Sequence, residues 1–507
     1  MTAPGSFARI ALAFCLALAL SAVPIFSTVL PPILDYPNHL ARMSILAADG
    51  GSAVLNQFYR LHWVLLPNLA MDLVVPPLTA LMPLALAGKL FLVLVFSLLV
   101  GGAVALNRVL HGRWSFWSLS VFLLLYNRIL LWGFLNYLFG LGLALCGLAL
   151  WLAAARRPAW QRILLSSTMA LAVYFSHISA FGIYALMLAG TEAGPALSLV
   201  RARAGRQLAA RLAIAGVQFI APAAITLLSW RGAATGAIAY GNYWRKADLL
   251  FSVFDNYNRG FDVACFILFV ALLLALVAWR RLGLAPAMRG PLLLVTAAYL
   301  ALPSQMLSGA GADHRMAIAI FLIILAGSAP RWPSPRVARA VGAALLLLFA
   351  VRLAMVEAYW IQSDAVYQAD LAALDTLPRG AKLAVAWPGS AIQVTRAPEL
   401  HLPTLAIARR DAFVPTLFAY AAQQPVALTP DYAALALAAG QTPLWTALIE
   451  DHGKPPAPLL AALKSYDFIV FINRTPFEVP QSACLSAMRP GTSFQLFAIH
   501  PECADWQ

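Results

Sequence analysis

"LPPILDYPNHLARM", Leu30 to Met43, sets an aspartate, a histidine and an arginine inside eight residues of an otherwise apolar N-terminal region. Immediately before it runs "FARIALAFCLALALSAVPIFSTV" (7–29), about the length of roughly 20 apolar residues that crosses a bilayer. If the charged stretch marks a membrane boundary, the rest of the chain should alternate between similar apolar runs and polar boundaries. It does. The 507 residues are 62% hydrophobic and only 11% charged. Spans are expected at about 7–29, 86–107, 114–130, 133–154, 163–176, 178–199, 212–230, 263–279, 291–308, 315–329 and 339–358. The reading is a mainly α, polytopic transmembrane bundle of about 11 spans. Residues 10–22, "IALAFCLALALSA", follow Arg9 and end in small residues, a pattern shared with cleaved signal peptides. The many later spans favour an anchor.

Charge tests this map independently, because short cytoplasmic loops collect Lys and Arg. Arg108 and Arg113, then Arg156, Arg157 and Arg162, then Arg201, Arg203, Arg206 and Arg211, then Arg280, Arg281 and Arg289, then Arg331, Arg336 and Arg339 fall in alternate loops. Among acidic residues only Glu192 shares that side. The net charge of +14 is thereby a topology signal, and no nucleic-acid partner is expected. The N-terminus is assigned to the cytoplasm and residues 361–507 to the periplasm of a bacterial inner membrane. Cys15, Cys146 and Cys265 fall in spans, whereas Cys484 and Cys503 lie in the exported tail and are candidates for a disulfide.

Two domains are expected: a membrane part, 1–360, and a small exported α/β domain, 361–507. In the tail, apolar runs shorten to strand length, as in "AKLAVAW" (381–387), "DFIVFI" (467–472) and "FQLFAI" (494–499). In the first loop, "DYPNHLARMSILAADG" and "VLNQFYRLHWVLL" read as short interfacial helices anchored by Tyr59, Arg60 and Trp63. No internal repeat is present.

The unusual polar residues converge on the external face. They are Asp35, Asn38, His39 and Arg42 in the first loop, then Tyr126 to Arg128, Asn136 and Tyr137. Ser176 and His177, Tyr243 to Asp248, Asp255 to Tyr257, and Asp313, His314 and Arg315 complete the set. A charge at membrane depth costs roughly 2.5–3.5 kcal/mol on insertion scales, so this clustering needs a reason. Asp35, His39 and Arg42 share one helical face by spacing, and Pro37 suits a first turn. Asp35 then reads either as an N-terminal cap of an interfacial helix or as a base kept ionised by the helix N-terminus. His177 in "YFSHISAFGIYAL" is either a helix-to-helix hydrogen-bonding residue or part of a site. "GADHRM" brings Asp313, His314 and Arg315 to a helix start suited to an anionic group, or to a juxtamembrane anchor. Tyr243, Arg245 and Lys246 are either a solvated loop or an aromatic and cationic clamp. Asn473-Arg474-Thr475 matches a glycosylation sequon, a pattern common by chance. Walker A, G-x-S-x-G, H-E-x-x-H and strand-to-helix GxGxxG signatures are absent, which argues against ATP-driven transport by this chain alone.

An acidic first loop, many spans, the "SHISAF" turn, a late loop ending in "DHR" and an exported tail resemble the GT-C superfamily of membrane glycosyltransferases. The resemblance covers about residues 1–360 as an arrangement more than as a strict motif. It implies sugar transfer from a polyprenyl-phosphate donor to a glycan, lipid or protein acceptor at the periplasmic face. It makes Asp35 the catalytic carboxylate, with Arg315, His314, Arg245 and Lys246 toward the donor phosphate. His39, Arg42, His177, Asp313 and Tyr243 are substrate-binding candidates. The family commonly pairs two acidic residues in this loop, whereas Tyr36 follows Asp35 here, so no metal and no cofactor are expected. A single base points to inverting displacement. A transporter or flippase is the rival reading, but transporters place polar residues near the midplane on broken helices, often with repeat symmetry.

Overall fold

A computed structural model describes the chain except residues 1–3, 230–237, 241–242, 307–308, 390–397, 421–422, 452–454, 474–476, 480–481 and 503–507. Cys503, Arg474 and Thr475, and with them the expected bridge and sequon, lie outside the described residues, while Cys484 is fully buried.

The protein is a polytopic helical bundle. Helix α1 (Pro4–Ser27) is followed by α2 (Tyr36–Ala48), a short helix (Leu55–Phe58) and strand β1 (Tyr59–Leu61). The bundle continues with α3 (Leu84–His111), α4 (Leu135–Ala153), α5 (Ala159–Ser176) and α6 (Ile178–Arg201). Then come α7 (Arg259–Ala278), α8 (Pro286–Ala301), α9 (His314–Gly327) and the 40-residue α10 (Pro335–Leu374). Seven helices among the described residues are long and apolar enough to cross a membrane, including the broken stretch Gly205–Ser229. Helices α5, α8 and α9, at 18, 16 and 14 residues, occupy the positions of three further expected spans.

The expected span at 114–130 takes a different form. Phe116–Leu124 is a 3₁₀ helix of nine residues, and a separate five-residue helix, Arg128–Trp132, follows. Serines explain the change. The Ser118 hydroxyl donates to the Ser115 carbonyl at 2.9 Å and that of Ser120 to the Trp117 carbonyl at 2.6 Å, matching the i to i+3 spacing of the tighter helix. Asn127 then ends it, donating to the Leu124 carbonyl at 2.6 Å while accepting from the Leu130 amide at 3.1 Å.

Close helix packing rests on small residues, which let membrane helices approach. A Cβ on Gly102 of α3 would stand 2.7 Å from the Gly142 carbonyl of α4, and one on Gly190 of α6 would stand 2.2 Å from the Pro291 nitrogen of α8.

The tail holds β2 (Leu383–Ala386), β3 (Val426–Leu428), β4 (Phe468–Ile472), β5 (Leu485–Ala487) and β6 (Phe494–Ile499). Four of them form a sheet in the order β2-β4-β6-β5, with β2 parallel to β4 and the other pairs antiparallel. The strand β3 instead pairs with β1 of the first loop, Tyr59 opposite Leu428. "VLNQFYRLHWVLL" is therefore one helical turn, Leu55–Phe58, then the strand Tyr59–Leu61 and an irregular stretch: its aromatic and branched residues find a tail edge to pair with, and tertiary pairing outweighs local helical preference. Phe58, Phe413 and Tyr432 cluster beneath this junction, and the Tyr59 hydroxyl accepts from the Val414 amide at 3.0 Å. Helix α10 passes without a break through residue 360. Its fully buried Asp370 accepts from the amides of Thr492 and Ser493 at 2.6 and 3.1 Å and from the Ser493 hydroxyl, clamping it to the sheet.

Candidate active site

Three consecutive residues gather the site. Trp132, Gly133 and Phe134 follow the short helix that Asn127 caps, and Gly133 turns the chain at φ +93°. The Leu34 amide donates to the Leu131 carbonyl at 2.9 Å, drawing the first loop against this turn. A Cβ at Gly133 would lie 2.6 Å from the Asp35 Cβ, so only glycine leaves room for the aspartate. On one side the Trp132 ring lies 4.7 Å from the His314 ring. On the other, the Arg315 guanidinium sits 4.4 Å over the Phe134 ring, a cation–π contact. Tyr137, one turn on, donates its hydroxyl to the Arg315 carbonyl and packs edge-on against His177 at 5.6 Å. Asp35, His314 and Arg315 thus share one turn of backbone as a common support, and His177 joins them through Tyr137.

Asp35 stands at the N-cap position of α2 but makes no side-chain capping bond. Its Oδ1 lies 3.6 Å from Nε2 of His401 in the tail. Burial raises the Asp35 carboxyl from 3.8 to about 7, against the opposing charge of Arg42. That differs from the expectation of a carboxylate held ionised by the helix N-terminus, because the tail covers the site and desolvation dominates. The cover is tied down by Asn38, whose amide donates to the Thr416 carbonyl at 2.7 Å and accepts from the Phe418 amide at 2.8 Å. Rings of Trp387 and Phe418 flank His401 at 6.3 and 5.1 Å. Burial lowers His401 to about 4, so at neutral pH it is an uncharged neighbour of Asp35.

His39 points its Nε2 at the Gly133 carbonyl at 3.0 Å. Burial first, then the charge of Arg42, lowers it to about 3, so this ring is neutral and donates. Arg42 is 0% exposed and grips Asp72 through two bonds of 2.7 and 3.1 Å. It fastens α2 to the helix Ala70–Leu78, and its side chain is committed there. His177 caps α6, accepting from the Ser179 amide at 3.0 Å.

Toward α8 and α9, Lys246 is buried and donates to the carbonyls of Tyr299 and Leu302 at 2.8 and 2.9 Å, with Asp313 at 3.5 Å. It anchors its loop, whereas Tyr243 and Arg245 are exposed. Arg128, Arg245 and Arg315 all lie within electrostatic range of His314. Asp72, Asp248, Asp255, Asp262 and Asp313 are each held by an arginine or lysine. Among the described residues Asp35 forms no ion pair with an arginine or lysine; its near neighbour is the neutral His401, and Arg42 acts on it through its charge alone. Among the described residues no cluster of three His, Cys, Asp or Glu side chains is placed to hold a metal ion.

Sequence reasoning missed His401, Trp132 and Phe134. The two aromatics carry the ordinary signature of membrane-boundary residues, and nothing local ties His401 to the first loop.

No protein-family model matches this sequence, and no curated protein matches it. In fold it is similar to the crystal structure of ArnT from Cupriavidus metallidurans bound to undecaprenyl phosphate, with a TM-score of 0.57 at 12% identity, covering 98% of each chain. The apo crystal structure of the same ArnT gives a TM-score of 0.51 at 12% identity, covering 97% of this chain and 98% of that one. The likeness takes in bundle and tail together, and this chain shares the fold of that protein.

Proposed function

We propose that this protein is an inner-membrane glycosyltransferase that moves a sugar from a polyprenyl-phosphate donor to an acceptor hydroxyl of a glycan, lipid or protein at the periplasmic face. Support comes from the shared fold, from a neighbour in that fold bound to undecaprenyl phosphate, and above all from the Trp132–Phe134 turn. Its three residues meet a carboxyl without an arginine or lysine ion pair among the described residues, a histidine and an arginine in turn: Asp35 at Gly133, His314 at Trp132 and Arg315 at Phe134. Asp35, titrating near 7, takes the acceptor proton; a base matched to the working pH contributes roughly 10²–10⁴-fold. The acceptor oxygen attacks the anomeric carbon, the bond from that carbon to the phosphate oxygen breaks, and the polyprenyl phosphate leaves with the electron pair. Arg315, with His314 and Arg245 beside it, meets the charge that develops on the phosphate. Direct displacement inverts the anomeric centre. The tail, which roofs Asp35 through His401 and Phe418, contributes to acceptor recognition.

Asp35→Asn tests this reading. It should insert into membranes at the wild-type level and lose transfer of sugar from a polyprenyl-phosphate donor by about 10²-fold or more. Unchanged glycan product would remove Asp35 from the mechanism.

A further inference from the structure

A groove of about 1040 Å³ opens near the first turns of α10, the end of the bundle remote from the tail. The 3₁₀ segment packs its buried side inward and leaves small residues of α1, Ala13 and Ala17, facing Leu345 and Phe349 of α10 across an open channel. Its mouth has another composition. Arg113, Arg331 and Arg339 line it together with Trp114 and Trp332.

Those three arginines are exposed, and among the described residues none of them forms an ion pair with a carboxylate. Elsewhere, by contrast, Arg162 and Arg211 share the buried Glu192. The groove arginines therefore present three uncompensated guanidinium groups above an apolar slot. Guanidinium forks match phosphate oxygens in geometry, and tryptophans are enriched at headgroup level. Depth points the same way. The α10 lining runs from Pro335 to Phe349, and its part from the mouth residue Arg339 to Phe349 covers about 15 Å of helix at 1.5 Å per residue, or half of a roughly 30 Å hydrocarbon core. A channel one leaflet deep with a cationic mouth fits a lipid of that leaflet, and basic pockets between spans bind anionic headgroups on general grounds.

We propose that this groove is a binding site for an anionic phospholipid, its phosphate held by Arg113, Arg331 and Arg339 and an acyl chain lying between α1 and α10. The site lies apart from Asp35 and does not depend on the proposed reaction.

Native mass spectrometry of the full-length, delipidated protein, titrated with dioleoyl-phosphatidylglycerol and with dioleoyl-phosphatidylcholine, tests it. The anionic lipid should be retained on the order of tenfold more strongly. Replacing the three arginines together by glutamine should abolish that preference while leaving phosphatidylcholine retention as it was. Gly342→Leu should lower retention of both lipids, because Gly342 lines the groove and a Cβ there meets nothing within 4 Å. That variant fills open space and improves helix propensity, so it should fold. Arg336→Gln, on the same helix but outside the lining, should change nothing. Equal retention of the two lipids, or a preference that survives the triple substitution, would overturn the proposal. Displacement of the lipid by millimolar glycerol phosphate would assign the arginines to a free phosphate compound, and retention unaffected by Gly342→Leu would place the lipid elsewhere; either result also overturns it.

Discussion

Gly133→Ala is the sharpest perturbation of the proposed site, because it adds one methyl group and replaces no ionisable side chain. At φ +93° a residue with a Cβ is strained by roughly 1–3 kcal/mol. The new carbon would also meet the Asp35 Cβ at 2.6 Å, where relaxed carbon pairs stand about 3.5–4.0 Å apart. Relief requires Asp35 to retreat by about 1 Å. A displacement of that size in a reacting group can lower turnover by about 10²-fold. The assay is transfer of radiolabelled sugar from a polyprenyl-phosphate donor in membranes normalised for protein level, with thermal unfolding in detergent run beside it. Gly101→Ala serves as the control, since a Cβ there meets nothing within 4 Å. If Gly133→Ala is folded, inserted and turns over at more than half the wild-type rate, the placement of Asp35 against this turn has no bearing on catalysis.

The raised carboxyl of Asp35 gives a pH signature. Transfer should climb through about pH 7 and level off above it, and a rate flat from pH 5 to 8 would contradict a base titrating there. Because the folded value exceeds the ordinary carboxyl value of 3.8, stability from the protonated carboxyl is full below 3.8 and is lost as pH rises through about 7. Asp35→Asn should therefore melt higher than wild type at pH 8, and a lower melting temperature there would contradict desolvation as the cause. Arg42→Ala should destabilise by about 3–5 kcal/mol by stranding the buried Asp72, and Arg42→Met with Asp72→Leu should recover most of the protein; an Arg42→Ala protein of normal abundance with a raised KM would instead make Arg42 a substrate ligand. Reporter fusions after residues 205 and 400 should report cytoplasm and periplasm respectively, and the reverse result would invert the proposed orientation.

Most of the bundle was legible in the sequence because hydropathy reads length, and ten of the expected apolar spans coincide with helices or helical stretches. The exception, 114–130, is invisible to hydropathy: the same apolar content suits an α-helix or a 3₁₀ helix, and Ser115, Ser118 and Asn127 decide between them through bonds to their own backbone. Asp35 stood out because a carboxyl between apolar runs is costly. What it faces did not. His401 and the turn at Gly133 reach Asp35 only through tertiary folding, and Arg42 finds Asp72 in the same way. Lys246 looked like a free cation in a loop, yet two carbonyls and Asp313 hold it, an arrangement no local pattern encodes.

The pairing of β1 with β3 sets an order of assembly. Tyr59 leaves the ribosome early, whereas Leu428, its partner, is made only after nearly all the membrane helices. At roughly 5–20 residues per second that delay lasts tens of seconds, during which β1 is an open strand edge and Asp35 lies uncovered in water. In that interval its carboxyl keeps the ordinary acidity of a solvated aspartate. The newborn chain therefore carries a hydrated, unroofed first loop, and the chemical character of Asp35 is set only when synthesis is nearly finished. A nonsense truncation between the end of α10 at Leu374 and His401 would yield an inserted bundle with the loop in place and the environment of its aspartate missing.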